Sequence, residues 1–120
     1  YGKLVGAYFM NHPDIQKATI ITEKESHFLT DHLKDSWSIK DEWYNFKDFS
    51  PDINVLLSLD ETSYEGGENG DYHPISWYHE FDGGRSFYTG RGHVGETYND
   101  PRFVKMINKA ILYTSGLVTK

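Results

Sequence analysis

Residues 53–59, INVLLSL, constrain this chain more than any other stretch. A near-continuous apolar run of this length reads as a strand buried on both faces, since a half-exposed strand would alternate apolar and polar residues. Such a strand needs cover above and below its sheet. The chain has 120 residues, room for one small domain, and it offers a single convincing long helix. Either loops supply the second cover, or these residues are part of a larger domain.

That helix is written at the C-terminal end. Asp100 fits an N-cap and Pro101 the first helical position, where its missing N–H costs nothing. Phe103, Val104, Ile107, Ala110 and Ile111 then follow helical spacing, and Gly116 fits the stop. Before it, the aromatic runs at 75–81 and 85–89 flank Asp82-Gly83-Gly84, a hairpin signal. Alternation puts Ile75, Trp77, His79 and Phe81 on one face of that hairpin, and Ser76, Tyr78 and Glu80 on the other. Residues 18–22 read as a short strand and 41–46, DEWYNF, as extended. Residues 1–10 read as the end of an element, followed by a turn at 11–14. Residues 23–40 read as polar and irregular, and 60–72, DETSYEGGENGDY, as a long acidic loop.

Several function classes are disfavoured. The formal net charge is -6 and no basic run occurs, which argues against binding nucleic acid through its phosphates. No apolar run approaches the ~18 residues of a membrane helix. The absence of cysteine removes disulfides, thiolate metal sites and a cysteine nucleophile from these residues. It leaves the compartment, periplasmic or cytoplasmic, undecided. No leader is visible, and because the chain begins at Tyr1 an upstream portion is expected. Aromatic residues stand out at 16%. Tyr and Trp join a flat apolar face to a polar handle, which suits sugar stacking as well as core packing.

The stretch 90–101, GRGHVGETYNDP, is the main candidate for chemistry. It sets His93 among three glycines, after a strand and before a helix, where open α/β sheets present ligands. An imidazole titrating near ~6.5 can act there as acid or base. Glu96 is close enough in sequence to share the ligand, although an acid near a helix start is favourable in any case. In the DEWYNF segment, Glu42 lies beside Trp43 and Tyr44, a pairing of carboxylate with aromatics that suits a sugar. His73 ends the acidic loop and would line the mouth. The other histidines, His12, His27, His32 and His79, form no ligand pattern, so neither a structural metal nor a cofactor is expected.

Together, YGKLVGAYFMNHP, DEWYNF, VLLSLDETSYEGG, HPISWYHEFDGGRSFYTGRGHVGETYNDPRF and ILYTSG resemble the ThuA-like (trehalose utilisation) domain in order and spacing. The resemblance spans almost the whole chain. It implies an α/β fold of the class I glutamine amidotransferase-like kind: a flavodoxin-like parallel sheet with helices on both faces. Residues 1–120 would be the C-terminal half or more of that domain, carrying the hairpin and the C-terminal helix. GHVGETY is similar to the amidotransferase His-x-Glu segment, with Glu96 three residues after His93 rather than two. The resemblance does not carry glutaminase chemistry with it.

The expected activity is binding or conversion of a disaccharide or its keto derivative in a cleft at the strand ends. His93, Glu96 and Glu42 would be the catalytic groups, with His73, Trp43 and Tyr44 binding substrate. The expected partners are a small-molecule sugar, an associated sugar dehydrogenase, and a second copy or the N-terminal portion. One rival is a non-catalytic carbohydrate- or partner-binding module that kept the fold. Another is a hydrolase-like site with metal held by histidines and carboxylates.

Overall fold

A computed structural model describes residues 5–23, 27–91 and 100–116. Among the described residues seven strands and one long α-helix follow in order: β1 (Tyr8–Asn11), β2 (Gln16–Thr22), β3 (Ser36–Asp41), β4 (Asn45–Lys47), β5 (Asn54–Asp60), β6 (Pro74–Phe81), β7 (Gly84–Thr89) and α1 (Pro101–Thr114). A single 3₁₀ turn, Glu61–Ser63, leaves β5 under an N-cap in which Asp60 accepts from the Thr62 amide. The main sheet has the order β3-β2-β5-β6-β7, and β1 pairs with β4 in a separate two-stranded ribbon.

The expected α/β architecture, with its hairpin and C-terminal helix, is present. Strand direction differs from the expected parallel sheet, because every described pairing is antiparallel. The connections explain this. Antiparallel neighbours can be joined by tight turns, whereas parallel ones need a long crossover, usually helical. No α-helix among the described residues separates β2, β3, β5, β6 and β7. The segment 23–40 also departs from its irregular reading, since residues 36–41 form β3. There Trp37, Ile39 and Asp41 alternate inward against β2.

β5 is buried as its composition demands, with Leu56, Leu57, Ser58 and Leu59 all inside. Cover comes from two sides. The larger core cluster gathers Ala18, Ile20, Leu56, Leu57, Leu59 and Ile75 with Met106, Ala110 and Tyr113 of α1. A smaller cluster of Ala7, Phe46 and Trp77 is packed by Tyr44, Phe49, Ile53 and Tyr88. The second cover is thus a few aromatic rings from β4 and neighbouring loops, which is where much of the aromatic excess is spent. Rings of this size bury enough area for a few residues to substitute for a helix.

The helix begins as expected, with the Asp100 side chain accepting from the Arg102 amide. Its buried stripe is Phe103, Met106, Ala110 and Tyr113, while Val104 and Ile111 face outward, Ile111 at 60% exposure. The two apolar pairs, 103/104 and 110/111, allow either phase. Contact with β7 selects one: the Arg85 guanidinium lies over the Tyr113 ring and Nη1 donates to the Tyr113 carbonyl at 2.8 Å. Among the described residues no helix is long and apolar enough to cross a membrane.

The β6–β7 hairpin closes through Asp82 and Gly83 at φ +53° and +82°. Two left-handed residues are what a type I′ turn requires, and its twist matches that of the strands. Gly83→Ala adds a side chain into open space, so the cost is conformational alone. It should destabilise the protein by about 1 kcal/mol, read as a lower urea midpoint at unchanged slope.

Candidate functional site

His73 sits immediately before β6 with its side chain fully enclosed. Its Nε2 lies 2.7 Å from the Tyr44 carbonyl oxygen, which can only accept, so Nε2 carries a proton. Its Nδ1 lies 2.6 Å from Glu61 Oε2 and 3.1 Å from the Tyr64 hydroxyl. Burial, with Glu61 nearby, raises the pKa of that phenol well above its ordinary value, so Tyr64 stays protonated. The Glu61 carboxylate also accepts from the Asn69 amide at 2.8 Å and the Gly70 amide at 2.9 Å. His73 therefore ties the acidic loop to the backbone of Tyr44.

Two asparagines brace the same region. Asn45 donates to Asn11 Oδ1 at 2.8 Å and to the Gly66 carbonyl at 2.9 Å, and accepts from the Glu68 amide. Asn69 pairs with both backbone groups of Phe46, as a strand neighbour would. The residues sequence reasoning overlooked are thus Glu61, Asn45 and Asn69. The Gly66, Gly67 and Gly70 cluster was the available signal, because it lets the loop fold back onto β4.

Tyr44 and Glu42 lie at the edge of this braced region. Tyr44 is half-buried, with its ring edge-on to exposed Phe9 at 5.0 Å and 6.1 Å from the His12 ring. The Glu42 carboxylate is 3.4 Å from His12 Nδ1 and retains 10% exposure. Phe9, His12, Tyr44 and Glu42 form one patch in which aromatic faces adjoin a carboxylate. Trp43 points the other way: it is 1% exposed, belongs to the larger core, and donates from Nε1 to the Gln16 carbonyl at 2.7 Å. Its ring offers no open face for stacking.

The end of β7 reaches the patch. Gly90 donates to the Ile75 carbonyl at 2.7 Å, and a Cβ placed on it would stand 3.3 Å from the Phe46 ring and 3.6 Å from the Tyr44 ring. That Cβ would crowd Phe46 and rest in ordinary contact with Tyr44. The segment that carries the main candidate residues therefore starts against Tyr44. His93 and Glu96 themselves lie outside the described residues. Among the described residues no group of three or more His, Asp or Glu side chains is placed to hold a metal ion.

A family model described as ThuA, trehalose utilisation, matches residues 1–114. The chain belongs to the ThuA family. Two solved structures share its fold. A ThuA-like protein from Bacteroides uniformis is 24% identical with a TM-score of 0.72, over 92% of this chain and 48% of the other. A ThuA-like protein from Parabacteroides merdae is 19% identical with a TM-score of 0.67, over 97% of this chain and 50% of the other. The chain thus spans about half the length of these ThuA-like proteins. No curated protein matches it.

Proposed function

We propose that this ThuA-family chain serves carbohydrate utilisation by holding a disaccharide such as trehalose, or its keto derivative, at the patch of Tyr44, Glu42, His12 and Phe9. His93 and Glu96 would approach from the segment that leaves β7. The observation that carries this reading is the closeness of Gly90 to Tyr44, whose ring would stand 3.6 Å from a Cβ placed there, so that two motifs 46 residues apart in the sequence adjoin. A sugar fits the chemistry offered. Aromatic faces take its C–H surfaces, and a carboxylate takes its hydroxyls by charge-assisted hydrogen bonds. In this reading His93 supplies acid/base chemistry or anchors the ligand, and His73 acts indirectly by fixing the backbone of Tyr44.

The test uses the full-length protein and trehalose. His93→Ala should remove binding or turnover while changing stability by less than about 1 kcal/mol, as for a surface residue. Glu42→Gln, which keeps the side chain's shape, should weaken trehalose binding about tenfold, the loss of one charge-assisted bond. A large loss of stability in His93→Ala with trehalose binding retained would make His93 a structural residue of the turn. The exposed ring of Phe9 favours a second reading, a binding module without turnover. Saturable trehalose binding with no chemical change to the sugar would establish it.

A further inference from the structure

We propose that Asn69-Gly70 is a self-modification site: when the acidic loop opens, the Gly70 nitrogen displaces ammonia from the Asn69 amide, and the product keeps the loop open. In this sequence only Asn69 is followed by glycine. Glycine has no side chain to shield its own nitrogen. Gly70 is exposed and Asn69 half-buried, and a Cβ on Gly70 would meet nothing within 4 Å. The pair is therefore open to water and sterically unhindered.

The closed loop engages both reacting groups elsewhere. Asn69 Oδ1 accepts from the Phe46 amide at 3.1 Å, and Nδ2 donates to the Phe46 carbonyl at 2.9 Å. The Gly70 N–H donates to Glu61 Oε1 at 2.9 Å, while Oε2 takes the Asn69 N–H at 2.8 Å and lies 2.6 Å from His73 Nδ1. Attack requires the Gly70 nitrogen to lose its proton and the Asn69 side chain to swing onto it. The Glu61 carboxylate opposes the first, because it disfavours a second negative charge beside it. Phe46 opposes the second, because the side chain must leave two backbone groups unbonded in order to turn. The reaction therefore runs from the open loop, at a rate set by the open population.

A bond forms between the Gly70 nitrogen and Asn69 Cγ, the Cγ–Nδ2 bond breaks, and Nδ2 leaves as ammonia with the proton from Gly70. One water then opens the cyclic imide. Cleavage at Cγ gives aspartate at position 69. Cleavage at the backbone carbonyl gives isoaspartate, in which the chain runs through the former side chain. Both products undo the closure. A carboxylate cannot donate to the Phe46 carbonyl, and it adds a like charge next to Glu61. Isoaspartate also lengthens the backbone by one carbon, so the two amides no longer match the two oxygens of Glu61. Loss of ammonia makes the change one-way. It releases the loop that holds Phe46 through Asn69 and Tyr44 through His73. The inference does not depend on what the Tyr44 patch binds.

Incubation of the full-length protein at mildly alkaline pH, followed by peptide mass mapping, tests the site. The reaction reads as the mass gained at residue 69 when the amide becomes an acid. The same protein unfolded in guanidinium gives the rate of the unrestrained pair. The folded protein should react at least about tenfold more slowly, because only its open fraction reacts. Glu61→Gln leaves one of the two loop amides without an acceptor and removes the charge beside Gly70, so it should recover most of that difference. Asn69→Asp installs one product directly, and should lower the urea midpoint and speed amide exchange at Gly70. The ratio of folded to unfolded rates carries the test if either variant fails to fold. Equal rates in the two states would overturn the proposal, as would an Asn69→Asp protein with unchanged midpoint and Gly70 exchange. Absence of the mass gain in the unfolded protein would overturn the site itself.

Discussion

Replacing His73 by alanine should cost about 2–5 kcal/mol, since it strands two acceptors at about 1–3 kcal/mol each. The ring is fully enclosed, and its loss strands the groups it bonds. The Tyr44 carbonyl loses the Nε2 donor and the Glu61 carboxylate loses its 2.6 Å partner. Glu61 retains only 15% exposure, so water cannot replace the histidine at low cost. The loss should appear as a lower urea midpoint at unchanged slope. Its local signature would be faster amide exchange at Asn69 and Gly70, whose N–H groups are held by Glu61. Glu61→Gln keeps the shape but has one acceptor oxygen for the two amides, so it strands one donor and should cost about 1–3 kcal/mol. A loss below about 1 kcal/mol for His73→Ala, no more than one ordinary hydrogen bond, would mean that Asn45 and Asn69 hold the loop unaided. His73 would then no longer explain the position of Tyr44.

What was legible in the sequence follows from how local the deciding interaction is. The start of α1 was legible because Asp100 and Pro101 set it within three residues. The hairpin was legible because two left-handed positions demand residues such as Asp and Gly. β5 was legible from composition, since only burial on both faces suits so apolar a run. β3 was not, although Trp37, Ile39 and Asp41 alternate, because its exposed serines and lysine made the stretch look like a loop. What makes it a strand is a partner about twenty residues earlier. Strand direction failed for a related reason: it was taken from the resemblance, while the connections between these strands carry no crossover helix among the described residues.

The candidate site divides in the same way. Tyr44 and Glu42 stood out because aromatics next to carboxylates are chemically conspicuous. Trp43, their neighbour, points into the core, an outcome that residue type cannot reveal. Glu61 escaped notice because its partners, His73, Asn69 and Gly70, are brought to it only when the loop closes.

The largest stability effect is expected from Trp77→Ala, because this ring organises the second cover of the sheet. Trp77 is fully buried. It stacks on Tyr88 at 4.6 Å and meets Phe46 edge-on at 5.2 Å and Phe49 at 5.6 Å. Its indole Nε1 donates to the Val5 carbonyl at 2.6 Å, anchoring the segment before β1. Truncation removes the central ring of the cluster at a cost of about 3–5 kcal/mol, and the stranded carbonyl adds about 1–3 kcal/mol. Domains of this size are stable by only about 5–15 kcal/mol, so much of the protein should be unfolded or close to it at 37 °C. Trp77→Phe separates the two contributions, since it keeps an aromatic ring and loses the indole donor. Its expected cost is about 1–3 kcal/mol. Because Phe46 and Tyr44 also pack in this cluster and flank Gly90, loss of the ring should loosen the Tyr44 patch before the far edge at β3. Amide exchange would rise first at Phe46 and Gly90, whose backbone N–H groups are bonded to Asn69 and Ile75. Thermal unfolding of Trp77→Ala that stayed within about 4 °C of the wild type, a loss near 1 kcal/mol, would show that the aromatic cover contributes little and that α1 alone stabilises the sheet.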